Sequence, residues 1–251
     1  MYLLIKIFFA LILIPLNLDQ RGDITVAVAA NFLLPMQDVV ELYEDKYGQR
    51  VRLIAASSGV LTAQIKNGAP FDIFMSADLK YPQSLYEDGF SRQPPDVIVN
   101  GQIAFWSKVK HVNEELTEML KKSIVKSIAI AQPELAPYGA NVQRWMENHK
   151  VYDQLKSKLV YGENVGKINQ LIFSGSVDAA FSSNSAMYSN QLKNVGNWVL
   201  PGGLDDTIPH GVILVRNRKS QRNPDVLSFY DFLFGPEAQQ IFEEFGYLPP
   251  F

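Results

Sequence analysis

The chain has 251 residues, 47% hydrophobic and 20% charged, which is enough to bury one large core or two smaller ones and too apolar for a disordered segment. Its net charge of -3, with Lys and Arg scattered along the chain, gives no basic footprint for nucleic acid. With no cysteine there are no disulfides, thiolate metal sites, thiol nucleophiles or lipid-modified cysteine anchor, and the three histidines, His111, His149 and His210, lack metal-ligand spacing and read as surface or packing residues.

Met1 to Leu18 (MYLLIKIFFALILIPLNL) carries one charge, Lys6, and then an apolar run broken by Pro15, too short to span a bilayer comfortably. Residues 1–22 therefore read as a signal peptide with no clear cleavage motif, the alternative being an uncleaved anchor. The signal-peptide reading exports the rest of the chain, to the periplasm, and on either reading the segment is excluded from the fold.

From Ile24 the chain alternates short apolar runs with amphipathic stretches. Ile24 to Ala29 predicts a strand, and Pro35 to Tyr47 has apolar residues at helical spacing, stopped by Gly48. Val51 to Ala55 predicts a second strand, Val60 to Asn67 a helix, Asp72 to Ser76 a third strand and the stretch through Leu85 a third helix. The pattern restarts at Val97. Strands are expected at Ile103–Trp106, Ser127–Ala131, Leu159–Tyr161, Ala179–Phe181 and Val212–Val215. Helices are expected at Ala140–His149, Lys167–Phe173, Pro224–Phe234 and Pro236–Glu244. The fold class is α/β, in two units of about 100 residues, each a mainly parallel sheet flanked by helices.

Ligands of open α/β sheets bind at the turns where strands pass into helices, because helix N-termini present unpaired N–H groups with partial positive charge. Four such turns share a character: Ala29-Ala30-Asn31-Phe32, Ala56-Ser57-Ser58-Gly59, Pro137-Tyr138-Gly139-Ala140 and Glu163-Asn164-Val165-Gly166. Two come from each half, and none brings Lys or Arg. Any one alone reads as an ordinary helix cap. Together they describe a neutral-donor site for a small anion between two lobes. Asp72 and Asp78 read as turn residues, Phe173 to Ser176 lacks the order of a nucleophile elbow, and the aromatic C-terminus (Phe229, Tyr230, Phe232, Phe234, Phe242, Phe245, Tyr247) reads as lobe packing. No nucleophile and base pair stands out, so no enzyme activity is expected.

The segments VAVAANFLLPMQDVVELYEDKYG, AASSGVLTAQIKNGAPFDIFMSAD, IAIAQPELAPYGANV and FYDFLFGPEAQQIFEEFGYLPP resemble the periplasmic molybdate/tungstate-binding proteins of ABC importers, over about Ile24 to Pro250. The resemblance implies the two-lobed type II periplasmic binding protein fold with a cleft between the lobes. Lobe 1 is then expected at residues 23–101 and 212–251 and lobe 2 at 102–211. It implies a molybdate or tungstate ligand, no cofactor, no metal bound as a cation, a membrane permease as partner, and a monomer. The ligand residues carried over by position are Asn31 and Ser58, through side chain and backbone, and Tyr138 and Val165, through backbone N–H groups. Ala30 stands where relatives can carry a threonine hydroxyl, so Ser57 is a further candidate. Ser182-Ser183-Asn184 stands near a ligand-contacting tyrosine of another branch, which adds Ser182 to the candidates and leaves open which of the three reaches the cleft. The alternatives are another tetrahedral oxyanion such as chromate, sulfate or phosphate, or an enzyme or sensor built on the same fold.

Overall fold

The structure is a computed structural model and describes residues 23–110, 115–201, 204, 207–216 and 223–250. The expected signal peptide and His111 lie outside these residues. Among the described residues, no helix is long and apolar enough to cross a membrane.

The first half runs β1 (Ile24–Ala29), α1 (Leu33–Tyr47), β2 (Val51–Ala56), α2 (Ser58–Lys66), β3 (Ile73–Met75), α3 (Lys80–Glu87) and β4 (Asp96–Gly101). The second half continues with β5 (Ile103–Ser107), α4 (Leu116–Lys121), β6 (Ile128–Ala131), α5 (Pro137–Asn148), α6 (Tyr152–Leu155), β7 (Leu159–Gly162), α7 (Val165–Phe173), β8 (Ala179–Ser183), α8 (Ser185–Tyr188) and β9 (Asn197–Val199). The chain then returns as β10 (Ile208–Leu214), α9 (Pro224–Leu233) and α10 (Pro236–Glu244).

These strands form two five-stranded sheets, ordered β2-β1-β3-β10-β4 and β7-β6-β8-β5-β9. In the first, β10 runs antiparallel to both β3 and β4 while β1, β2 and β3 are parallel. In the second, β5 runs antiparallel to β8 and β9 while β6 is parallel to β7 and β8. Four strands of five therefore share one direction in each lobe, and the reversed strand is the one that arrives directly from the other lobe. The lobes are joined by Gln102 between β4 and β5 and by the return from β9 to β10. β10 belongs to the first sheet from Ile208 onward, whereas the sequence pattern begins that strand and the returning lobe at Val212. The proline and histidine at its start, Pro209 and His210, interrupt the apolar run and conceal its first residues.

Every residue of β1 is buried, as expected for a parallel strand covered on both faces. Ile24, Val26 and Val28 pack with Phe32, Met36 and Val39 at the start of α1, while Ala27 faces Leu61 and Ile65 of α2 on the opposite side. The C-terminal aromatics behave largely as expected for packing: the Tyr43 ring of α1 meets Phe229 and Phe232 of α9 at centroid distances of 4.7 and 5.1 Å. Gly48 ends α1 in the left-handed conformation (φ 67), where a Cβ would be strained. The strand-to-helix order sends the carboxyl ends of β1, β2, β6 and β7 toward the cleft, and this sets where the site can be.

Candidate functional site

All four turns singled out in the sequence meet at one small cavity, lined by Ala29, Ala30, Asn31, Ser57, Ser58 and Ala77 from lobe 1 and Ala136, Pro137, Tyr138, Asn164 and Val165 from lobe 2. No charged side chain is on this wall. The lobes touch around it. The Gly59 N–H donates to the Leu135 carbonyl at 2.9 Å, and the Tyr81 hydroxyl donates to the Glu134 carbonyl at 3.1 Å. On the side of the crossings, Ser185 Oγ donates to the Asn31 carbonyl at 3.1 Å.

The helix starts are arranged to leave donors free. Ser58 is the first residue of α2, Val165 the first of α7, and Tyr138 the second of α5 after Pro137, so their N–H groups have no partner within the helix. Asn31 occupies the corresponding position in the 3-10 turn Ala30–Phe32. Three of these four termini have no side-chain cap. The exception is α7, where Asn164 accepts from the Lys167 N–H at 3.0 Å and so acts as an ordinary cap.

Ser57 holds the capping position of α2 yet makes no capping bond, and its hydroxyl, on a residue 3% exposed, has no hydrogen-bond partner. A buried hydroxyl left unpaired costs free energy, and one that faces a neutral cavity is explained by a ligand that accepts from it. Ser58 is differently prepared. Its Oγ accepts the Ala77 N–H at 3.1 Å, which fixes the oxygen and leaves its own hydrogen to be donated.

Asn31 is bound on all sides by groups that specify its orientation. Tyr247 donates its hydroxyl to the Asn31 carbonyl at 2.9 Å, so toward the side chain it can only accept, and it takes an Asn31 Nδ2 hydrogen at 3.0 Å. His210 Nδ1 lies 2.6 Å from the Ile208 carbonyl and must carry the proton there, which makes Nε2 an acceptor for the other Nδ2 hydrogen at 2.9 Å. Both amide hydrogens are thus directed at lobe 1 partners. Of the side-chain and backbone contacts expected for Asn31 from the sequence, the backbone N–H is the one left without a side-chain partner of its own network.

His210 is fully buried, and burial holds its imidazole down to about 4 against the opposing pull of the Ile208 carbonyl, so it is neutral at ordinary pH. Burial likewise pushes the Tyr247 and Tyr138 hydroxyls above the usual tyrosine range, and for Tyr138 the nearby Tyr247 adds to this while the Asn31 amide opposes it. Neither His210 nor Tyr247 is a surface or simple packing residue. The signal for this in the sequence is a histidine inside an apolar strand, Ile208-Pro209-His210-Gly211-Val212, where an unpaired polar ring would be costly.

Of the remaining candidates, Ser182, Ser183 and Asn184 lie off the cavity wall. Ser182 is buried in β8 and donates to Asn169 Oδ1 at 2.6 Å. Ser183 Oγ pairs with Ser185 Oγ at 2.8 Å, and Asn184 Nδ2 bonds to the Gly246 carbonyl, linking the second lobe to the end of α10. Ala30 lines the cavity and carries no side-chain donor. Asp72 and Asp78 have structural roles: Asp72 accepts the Thr25 N–H at 2.8 Å, and Asp78 accepts from Ser76 Oγ and the Tyr81 N–H at 3.0 and 3.2 Å. Among the described residues, no group of three or more His, Asp or Glu side chains is placed to hold a metal ion.

Comparison with known proteins gives a consistent answer. A family model described as bacterial extracellular solute-binding protein matches residues 24–248. The molybdate-binding protein ModA of Azotobacter vinelandii is 30% identical over 230 residues, 91% of this chain and 90% of that one. ModA of Rhodobacter capsulatus is 29% identical over 228 residues, 90% of this chain and 88% of its own. The solved structure of the periplasmic molybdate-binding protein of Azotobacter vinelandii matches with a TM-score of 0.82 at 26% identity, over 91% of this chain and 100% of that one.

Proposed function

Since the chain belongs to the bacterial extracellular solute-binding protein family, we propose that it is the capture subunit of an ABC importer for molybdate or tungstate, a binder and not an enzyme. It works in the periplasm as a monomer and hands its ligand to a membrane permease. The observation that carries this reading is the neutral cavity wall, on which helix N-termini from both lobes converge with the unpartnered Ser57 hydroxyl.

The ligand is held by the backbone N–H groups of Asn31, Ser58, Tyr138 and Val165, with the hydroxyls of Ser57 and Ser58 as side-chain donors; Ala30 contributes backbone alone. A desolvated dianion is costly to bury, and preorganised amides and hydroxyls replace water's hydrogen bonds without a counter-charge. The same donors select. The backbone N–H groups accept nothing from the ligand, so they favour a fully ionised oxyanion over phosphate carrying a proton near neutral pH. Sulfate is smaller and leaves donors out of reach. Molybdate and tungstate share charge and size, so both are ligands on this logic.

The test is calorimetry with molybdate, tungstate, chromate, sulfate and phosphate at one pH and ionic strength. Tight binding of the first two is expected. Phosphate binding without molybdate binding would overturn the assignment.

A further inference from the structure

Tyr138 does two different things with its two ends. Its backbone N–H opens α5 at the cavity, while its side chain leaves lobe 2 and enters lobe 1. There its Oη lies 3.4 Å from His210 Nε2, and its ring meets the His210 ring edge-on at a centroid distance of 5.8 Å. The phenol is buried, with Asn31 and Tyr247 beside it. The floor of this slot is Gly101, the last residue of β4 before the crossing to lobe 2. A Cβ there would sit 2.5 Å from Tyr138 Oη and overlap His210 Cε1, so the slot exists only because residue 101 has no side chain.

We propose that the Tyr138 side chain is an interlobe clasp, seated between Gly101 and His210, which couples anion capture at its own backbone N–H to retention of the closed state. The assignment rests on reading the cavity as an anion site. The clasp does not touch the anion. It is a positioning device whose socket is built by the Asn31–His210–Tyr247 network and preset before closure, because the hydrogen bonds that orient the His210 ring and the Asn31 side chain, apart from the one with Tyr138, come from lobe 1. An element of this kind slows opening more than it speeds encounter, since association needs only that the anion reach the open cleft.

The experiment compares wild type, Tyr138→Phe and Tyr138→Ala, all of which keep the backbone N–H. Molybdate association and release are followed by stopped-flow fluorescence, and the radius of gyration is measured by small-angle scattering with and without molybdate. Tyr138→Phe, which preserves ring volume and so guards against a folding defect, is expected to release molybdate about two- to threefold faster, because the 3.4 Å contact shares the His210 Nε2 lone pair with Asn31, at a little-changed association rate. Tyr138→Ala is expected to release faster still and to stay expanded at saturating molybdate. Wild-type binding together with unaltered release and full compaction in Tyr138→Ala would overturn the clasp alone. A wild type that binds no molybdate would overturn both the anion reading and the clasp built on it.

Discussion

The Gly59 N–H of lobe 1 and the Leu135 carbonyl of lobe 2 are hydrogen-bonded at 2.9 Å, so the two lobes meet backbone to backbone. This approach requires glycine at 59. A Cβ would lie 2.9 Å from Tyr81 Oη, 3.0 Å from the Leu135 oxygen and 3.1 Å from its Cα. Gly59→Ala favours the helix itself, displaces the Tyr81 hydroxyl of the same lobe, and otherwise acts on closure against Leu135. We expect unchanged thermal stability without anion and a loss of about 1–3 kcal/mol in anion affinity by calorimetry, the usual cost of overpacking. Wild-type affinity would show that the lobes close without this contact.

Ser57 and Ser58 should separate by where their cost appears. Ser57→Ala removes a buried hydroxyl that has no partner, so the ligand-free protein is expected to be as stable as wild type or slightly more stable. Ser58→Ala also strips the Ala77 N–H of its acceptor and should destabilise the ligand-free protein by about 1–3 kcal/mol. Each is expected to lower anion affinity by about 1.5–3 kcal/mol, the range for a hydrogen bond to a charged group. Urea denaturation and calorimetry on the two variants read the two effects independently.

His210 makes folding sensitive to acid. Its native value is lowered from 6.5 to about 4, so between these pH values the unfolded chain binds a proton that the native protein refuses. The contribution is fully present above pH 6.5, is lost as pH falls toward 4, and levels off below that. Between pH 7 and pH 4.5, wild type should lose roughly 2–3 kcal/mol more stability than His210→Gln, which has no such group. Denaturant midpoints of both proteins at the two pH values measure the difference; parallel losses would sink the assignment.

Gly139 packs the first turn of α5 against the end of β6 so closely that a Cβ would overlap the Ala131 carbonyl. Neither element can yield without moving the N-terminus that presents the Tyr138 N–H. Gly139→Ala is expected to cost ~3 kcal/mol or more, read as a lower urea midpoint, with anion binding reduced in the folded fraction.

Much of this site is legible in the sequence, because helix N-termini announce themselves as strand ends followed by small residues, and β1, α1, α2 and α10 carry clear periodicity. The four turns stand out for that reason. The partner of each polar atom is not legible in the same way. Asn31 looks like a donor to the ligand until Tyr247 and His210 are placed beside it, 216 and 179 positions away in the chain, and take both of its hydrogens. Ser57 looks like a cap until its hydroxyl is seen to cap nothing. The short helices α4 and α6 leave no mark in the pattern, because four to six residues give too little helical periodicity to register.

The exchange of reversed strands between lobes also sets an order of assembly. The strands of the second sheet lie in one unbroken stretch, from Ile103 to Val199, while in the first sheet β10 must insert between β3 and β4 after that whole stretch has been made. A chain emerging from its N-terminus can therefore complete lobe 2 before lobe 1, holding β1 to β4 as an unfinished sheet in the meantime. The slow step of folding is then expected to be the docking of residues 208–214 into that gap, a pairing of high contact order, and the exposed edges of β3 and β4 are where aggregation would begin if it is delayed.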